Sequence, residues 1–300
     1  MYSLKRWLKN LKLIFIDFLA VTGSVWMLIE FLSYVTNGWI DTYTKNTYYL
    51  VCVLIFALIV SLRKNKPKIS FAYKLRNKDN FIEVKVGDAF SNAGALVIPI
   101  NNMFDVSLGG NVKKANSLQN KLIKNFYLDK EEHLEIDISK KINIKVAHTI
   151  GTTVEVEQIG KTFYLLVNSR KKDNNRVEST IDDFLLSLSK LWEFIALESG
   201  RNKIVTIPLI STNHGRIANF NRTIAIREII YSYIDSSKLL NIADKLIISI
   251  HPSDLEKGDI DLDGINEYLK YSCKHFRIVN ISSKQEGEEI TSSNVIGIEN

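Results

Sequence analysis

Two apolar runs near the N-terminus constrain this chain more than any other feature of its 300 residues. Leu13 to Val35 is apolar except for Asp17 and Glu30, and Tyr48 to Leu62 carries no charge at all. At about 1.5 Å per residue the first run is long enough to cross a hydrocarbon core of about 30 Å. The second reaches that length if the helix begins near Tyr43. A secretory signal would show one short apolar core and a small-residue cleavage site, so the second run argues for a membrane hairpin instead. Helices over about 13–35 and 43–62 are therefore expected, in an N-terminal membrane region of residues 1–62.

Charge fixes the expected orientation. Lys5, Arg6, Lys9 and Lys12 precede the first run, Arg63, Lys64, Lys66 and Lys68 follow the second, and only Lys45 lies between. Basic flanks stay on the cytoplasmic side, which places both termini there and makes the protein multi-pass. Residues 1–68 hold nine Lys/Arg against three acids, the whole of the net charge of +6, and the remaining chain carries 30 of each sign. A body so balanced is not built to grip a nucleic-acid backbone. The two cysteines, Cys52 and Cys273, make no disulfide framework, and no Cys/His pair has zinc spacing.

Asp17 and Glu30 stand out, because an ionisable side chain at mid-membrane costs ~2.5–3.5 kcal/mol on insertion scales. Two readings stay open: both snorkel to headgroups, or both face partner helices or a lumen. Gly23 shares a helix face with Glu30, and Ala20 with Ser24 forms a small-residue pair one turn apart. Such faces promote helix association in lipid, so homo-oligomerisation is expected.

Beyond a basic linker, residues 63–80 with a strand at Ile69–Leu75, apolar runs of strand length alternate with helical patterns. Strands are predicted at Phe81–Val86, Ala93–Ile100, Ile142–Ile150, Thr162–Val167, Lys203–Ile210 and Lys245–His251. Helices are predicted at Ser117–Tyr127, from Ser179 (with Asp182 closing a capping box) to Gly200, at Asn221–Asp235 and at Asp263–Cys273. This alternation predicts a three-layer α/β/α body over residues 81–275 around a mixed, largely parallel sheet, followed by a polar tail, 276–300. Arg170-Lys171-Lys172-Asp173 reads as an exposed charged loop. Asp259 to Gly264 begins like a calcium loop, but Lys270 stands where the twelfth-position acid is required, so no metal is expected.

In such sheets ligands bind beyond the carboxyl ends of strands, where helix N-termini aim donors at anions. Four places fit: Gly87-Asp88, Ile100-Asn101-Asn102, Asn116-Ser117 opening a helix, and the polar turn Ser211-Thr212-Asn213-His214-Gly215-Arg216. Their order resembles the macro domain, the ADP-ribose-binding fold. Gly87-Asp88 resembles that family's adenine-binding GD, Val97 to Asn102 its VNAAN strand end near the distal ribose, and Ser211 to Gly215 its pyrophosphate loop, with Asn213 replacing the first glycine. Leu108-Gly109-Gly110 looks superficially like the other glycine loop, but Asn116-Ser117-Leu118 is the better match for phosphate contact.

The wider arrangement, two membrane helices and a divergent macro domain, resembles the membrane-anchored ThsA effectors of Thoeris anti-phage defence over roughly residues 10–270. Ile98 to Asp105, Asn116 to Leu118, Ile150 to Thr153, Leu191-Trp192 and Ile207 to Ile210 carry that resemblance. It implies a bacterial plasma-membrane protein without a cofactor. Its ligand would be an ADP-ribose derivative, with an amino-acid adduct possible, made from NAD by a TIR-domain partner enzyme. It implies ligand-binding roles for Asp88, Ile100, Asn101, Asn102, Asn116, Ser117, Ser211, Thr212, His214, Gly215 and Arg216. Assembly would run through Ala20, Gly23, Ser24 and Glu30, and membrane damage would follow. No nucleophile with an adjoining base is evident, so a binding protein is favoured over an enzyme; the alternative is a membrane-bound macro-domain ADP-ribosyl hydrolase using Asn101, Asn102 or Asp105 to position water.

The orientation is testable directly. A cysteine placed at Thr42 should be labelled in intact cells, and labelling only after lysis would overturn the assigned topology.

Overall fold

The computed structural model describes residues 10–40, 44, 46–65, 69–106, 117–172, 176–197, 203–210, 220–257 and 259–277. Two long helices come first, α1 (Leu11–Val35) and α2 (Thr47–Lys64). Both are long and apolar enough to cross a membrane. Asn46 caps α2 by accepting a hydrogen bond from the Tyr48 amide, and Arg63 and Lys64 occupy its last turn, where cations suit the helix dipole.

Polar contacts close the hairpin at one end. Lys64 Nζ lies 2.7 Å from one Asp17 oxygen and Asn65 Nδ2 donates to the other at 2.6 Å. The Ser61 hydroxyl donates to the Ile14 carbonyl, and Asn10 Nδ2 donates to the Asn65 carbonyl. Within the hairpin Asp17 is thus partnered, because the basic end of α2 lies within reach of its carboxylate. Glu30, by contrast, is exposed and makes no ion pair with the described residues.

The body is one sheet between two layers. Its strands are β1 (Ser70–Lys74), β2 (Phe81–Val86), β3 (Ala95–Asn101), β4 (Thr153–Gln158), β5 (Lys161–Lys171), β6 (Val177–Glu178), β7 (Ile204–Pro208) and β8 (Lys245–Ile250). The order is β1-β2-β8-β7-β3-β5-β4, with β6 paired to β5. From β2 through β5 every pairing is parallel, and β1, β4 and β6 are antiparallel. β1 lies within the segment read as linker, so the sheet begins five residues after Asn65.

Side chains alternate between two cores. Val97, Val205, Ile207, Leu246 and Ile248 pack under α5 (Ile181–Leu197), α6 (Arg222–Ser236) and α8 (Leu262–Lys274). Leu96, Ile98 and Ile100 pack against α3 (Leu118–Phe126) and α4 (Glu131–Ser139). Strands covered on both faces have no polar side to show, which is why they read as continuous apolar runs. A short helix, α7 (Pro252–Glu256), leads from β8 toward α8.

Several expectations are corrected. Ile142–Ile150 is irregular chain, not a strand, despite its alternation: Ile142 and Ile144 only rest against the second core, and the β3 edge is taken by β5. The strand β4 follows instead and turns into β5 through Ile159-Gly160, both at positive φ (53° and 67°). That primed two-residue turn suits a hairpin, but isoleucine in place of Asn or Gly hides it. The capping box of α5 is Thr180 with Asp183, which exchange hydrogen bonds of 3.0 and 3.4 Å, one residue beyond the expected pair. The last helix begins at Leu262 with Asp261 as its N-cap, one residue ahead of the expected start at Asp263. Arg170 and Lys171 lie within β5, not in a loop.

Gly94 precedes β3 at φ +79°, and a Cβ there would stand 2.2 Å from the Ile204 carbonyl oxygen. Gly94→Ala should therefore destabilise the body by about 1–3 kcal/mol from backbone strain, with the clash adding to it. Thermal unfolding checks this, and an unchanged midpoint would overturn it.

Candidate functional site

All parallel strands point their carboxyl ends to one edge of the sheet, and the described candidate residues of the body gather along that edge. Asp88 follows β2, His251 follows β8, Leu209-Ile210 follow β7, and Asn101-Asn102 end β3. Three strand spacings separate the β2 and β3 ends, about 14 Å at 4.7–4.9 Å each. Ser117, the N-cap of α3, accepts from the Asn120 amide at 3.1 Å, and Asn221, the N-cap of α6, accepts from the Ile224 amide at 2.8 Å. Asn116, Ser211, Thr212, His214, Gly215, Arg216 and the Gly109-Gly110 pair lie outside the described residues.

At the β2 end the Gly87 amide donates to the Ile250 carbonyl, and the Ser249 hydroxyl donates to the Gly87 carbonyl at 3.2 Å. A Cβ on Gly87 would meet nothing within 4 Å, so the chain is open to a close approach there. Asp88 is exposed, and one of its oxygens caps a short turn, Ala89–Ser91, by accepting from the Phe90 amide at 3.2 Å. The chain then crosses the sheet face to enter β3 through Gly94.

At the β3 end the two asparagines build the turn they belong to. Asn101 Oδ1 accepts from the amides of Met103 (2.9 Å) and Asp105 (3.3 Å), and its carbonyl accepts from Phe104. Asn102 Oδ1 accepts from the Lys171 amide at 2.8 Å, its amide donates to the Ser169 carbonyl, and its own carbonyl accepts from His148. Among the described residues both side-chain oxygens are thus engaged, and the Nδ2 donors remain available. Ile100 is buried in the second core, so only its backbone belongs to the rim. Phe104 is buried at φ 48° with its ring edge-on to His148, 5.3 Å between centroids. A non-glycine residue held in the left-handed region is strained and persists only where its surroundings fix it.

The sequence did not point to what braces this corner. β5 outruns β3 past an irregularity at Ile100/Asn101 and brings Lys171 Nζ within 2.7 Å of Asp105. Next to it, Arg170 pairs with Asp183 at the start of α5 at 2.7 Å. The Arg170 guanidinium and the Thr180 amide hold the Asp183 carboxyl below its ordinary value. At the far side, Arg222 of α6 sits between Asp254 and Asp259 with little exposure, and the Thr223 hydroxyl donates to the Asp259 carbonyl. Asp259 therefore serves an internal ion pair rather than a calcium loop. No cluster of metal-ligating side chains occurs among the described residues. Trp192 and Gly151, which helped carry the sequence resemblance, are packing residues: the indole donates to the Ser232 hydroxyl, and a Cβ on Gly151 would strike Lys190.

The chain is thus an α/β/α body with a mixed sheet and a polar parallel-strand edge, behind an apolar helical hairpin. The family model described as Thoeris protein ThsA, Macro domain, matches residues 82–251, more than half of the chain. The chain belongs to that family. Among solved structures, a mutant of the Oceanobacillus iheyensis macrodomain has a TM-score of 0.47 at 12% identity, covering 69% of this chain and 97% of that one. The same macrodomain with ADP has a TM-score of 0.41 at 11% identity over the same shares. A Bacteroides thetaiotaomicron protein has 0.36 at 15% identity, covering 55% and 97%. No curated protein matches the chain.

A pH prediction follows from Asp183. Its carboxyl is depressed in the folded state, so its contribution is present above the ordinary value of 3.8 and is lost as pH falls through the folded value. Asp183→Asn should lower stability at neutral pH and flatten the acid limb of a stability–pH curve. Parallel curves for parent and variant would overturn this.

Proposed function

We propose that this protein is a membrane-anchored defence effector that binds an ADP-ribose-derived signal made by a TIR-domain partner, then assembles and breaches the membrane. Membership of the ThsA macro-domain family carries the reading. The edge geometry supports it: three strand spacings, about 14 Å, separate the strand ends that carry Asp88 and the paired asparagines, a span suited to an extended ADP-ribose. Asp88 accepts the adenine amino group at one end. The Nδ2 donors of Asn101 and Asn102 meet ribose oxygens at the other, and Ser117 with Ser211, Thr212, His214, Gly215 and Arg216 takes the phosphates between them.

Binding is favoured over turnover by how the polar groups are used. A hydrolase would need Asn101, Asn102 or Asp105 to hold a water. Both asparagine oxygens already accept backbone hydrogen bonds, and Asp105 is paired with Lys171. For assembly, α1 presents an apolar groove of about 650 Å³ lined by Leu19, Ala20, Gly23, Ser24, Met27, Leu28 and Phe31. A Cβ on Gly23 would meet nothing within 4 Å, so this face is not used by α2. Both termini and the macro-type body lie in the cytoplasm, where the signal is made.

The experiment pairs calorimetry on the detergent-solubilised full chain with permeability assays in cells. Asp88→Ala should weaken ADP-ribose binding by roughly 1.5–3 kcal/mol, and Arg216→Ala by a similar charge-assisted amount. Gly23→Leu should bind as the parent does yet lose ligand-dependent crosslinking and permeability, because a bulky side chain separates close-packed helices. Parent-like binding in both site variants would move the site elsewhere. Release of free ADP-ribose from an ADP-ribosylated substrate would make the protein a hydrolase.

A further inference from the structure

We infer that Lys161 is a positioning residue for the adenine end of the cleft, holding the turn that carries Asp88; this rests on the nucleotide site proposed above. Residues 88–92 cross the sheet face between β2 and β3 with only a three-residue helical turn of their own. Such a segment needs support from outside. Lys161, the first residue of β5 beyond the Ile159-Gly160 turn, reaches over and donates to two of its carbonyls, Phe90 at 2.7 Å and Asn92 at 2.9 Å. Lys85 Nζ meets Asn92 Oδ1 at 3.0 Å, and the Asn92 side chain is itself buried.

Two lysines from different strands therefore fix the same five residues. The Lys161 ammonium is half-buried, which pulls its pKa down, and the charge of Asp88 pushes it back up. The lysine thus lies within electrostatic reach of Asp88. The arrangement does two things for Asp88. It holds the Phe90 amide where Asp88 caps it, which sets the carboxylate's direction. It also brings a cation within electrostatic reach of Asp88, whose carboxylate oxygens are acceptors for an exocyclic amine.

A residue that acts through Asp88 must lose its effect when Asp88 is changed, whereas a residue that merely stabilises the body keeps it. The test is a double-mutant cycle on the full chain in detergent, with ADP-ribose as the probe. Lys161→Met keeps the aliphatic stem and should weaken binding about tenfold, the loss of one hydrogen-bonding group, while Lys161→Arg restores it. In an Asp88→Asn background, which leaves one acceptor oxygen, adding Lys161→Met should cost little more. Additive losses, or unchanged binding in Lys161→Met, would overturn the inference. Parent-like binding in Asp88→Asn alone would instead overturn the site assignment, and this inference with it.

Discussion

Burial of the central parallel strands on both faces is the constraint from which the rest follows. β3, β7 and β8 have nearly every side chain out of water, and their sequences carry few polar side chains. Polarity can only emerge where the strands stop. Parallel pairing brings all those stops to one edge, together with the N-caps of the helices that return from it. Asp88, Asn101, Asn102, Ser117 and Asn221 are the residues that end strands or begin helices there, and their positions are consequences of the sheet.

That logic also separates what could be read in the sequence from what could not. The central strands and the apolar hairpin are legible because continuous burial, in protein or in lipid, leaves an unbroken apolar run. The β4–β5 hairpin is not, because Ile159 occupies a turn position that usually announces itself with Asn or Gly. Ile142–Ile150 misleads in the opposite direction: its alternation is real, but Ile142 and Ile144 rest on the second core and the place beside β3 is taken by β5. The strand-end residues of the cleft are legible as types and places. Their commitments are not, since the Lys171 amide on Asn102 depends on β5 outrunning β3, a register fact that no local pattern carries.

Asp17 illustrates the same limit in an apolar setting. Alone, a carboxylate inside a membrane segment is a cost. Beside Lys64 and Asn65 both of its oxygens are satisfied at one end of the hairpin, so the cost is offset where the helices must be held in register. The pairing spans 47 residues and becomes visible only once the two helices are antiparallel. Removing Asp17 would free a lysine at the end of α2, whereas removing Lys64 would leave a carboxylate near the bilayer, so the two substitutions are not equivalent.

The place where the hairpin joins the body gives the proposed switch its economy. The chain leaves α2 at Lys64 and enters the sheet at Ile69, whose carbonyl accepts from the Val86 amide, two residues before Asp88. In the proposed function the adenine end of the cleft and the attachment of the hairpin therefore share one strand end. Moving an equilibrium from 1:99 to 99:1 needs ~5.5 kcal/mol of differential affinity. A single charged hydrogen bond at Asp88 contributes ~1.5–3 kcal/mol at most. In the proposed function the remainder comes from contacts along the rest of the edge, or from subunits assembled through α1, where linking sites multiplies affinity without any new contact.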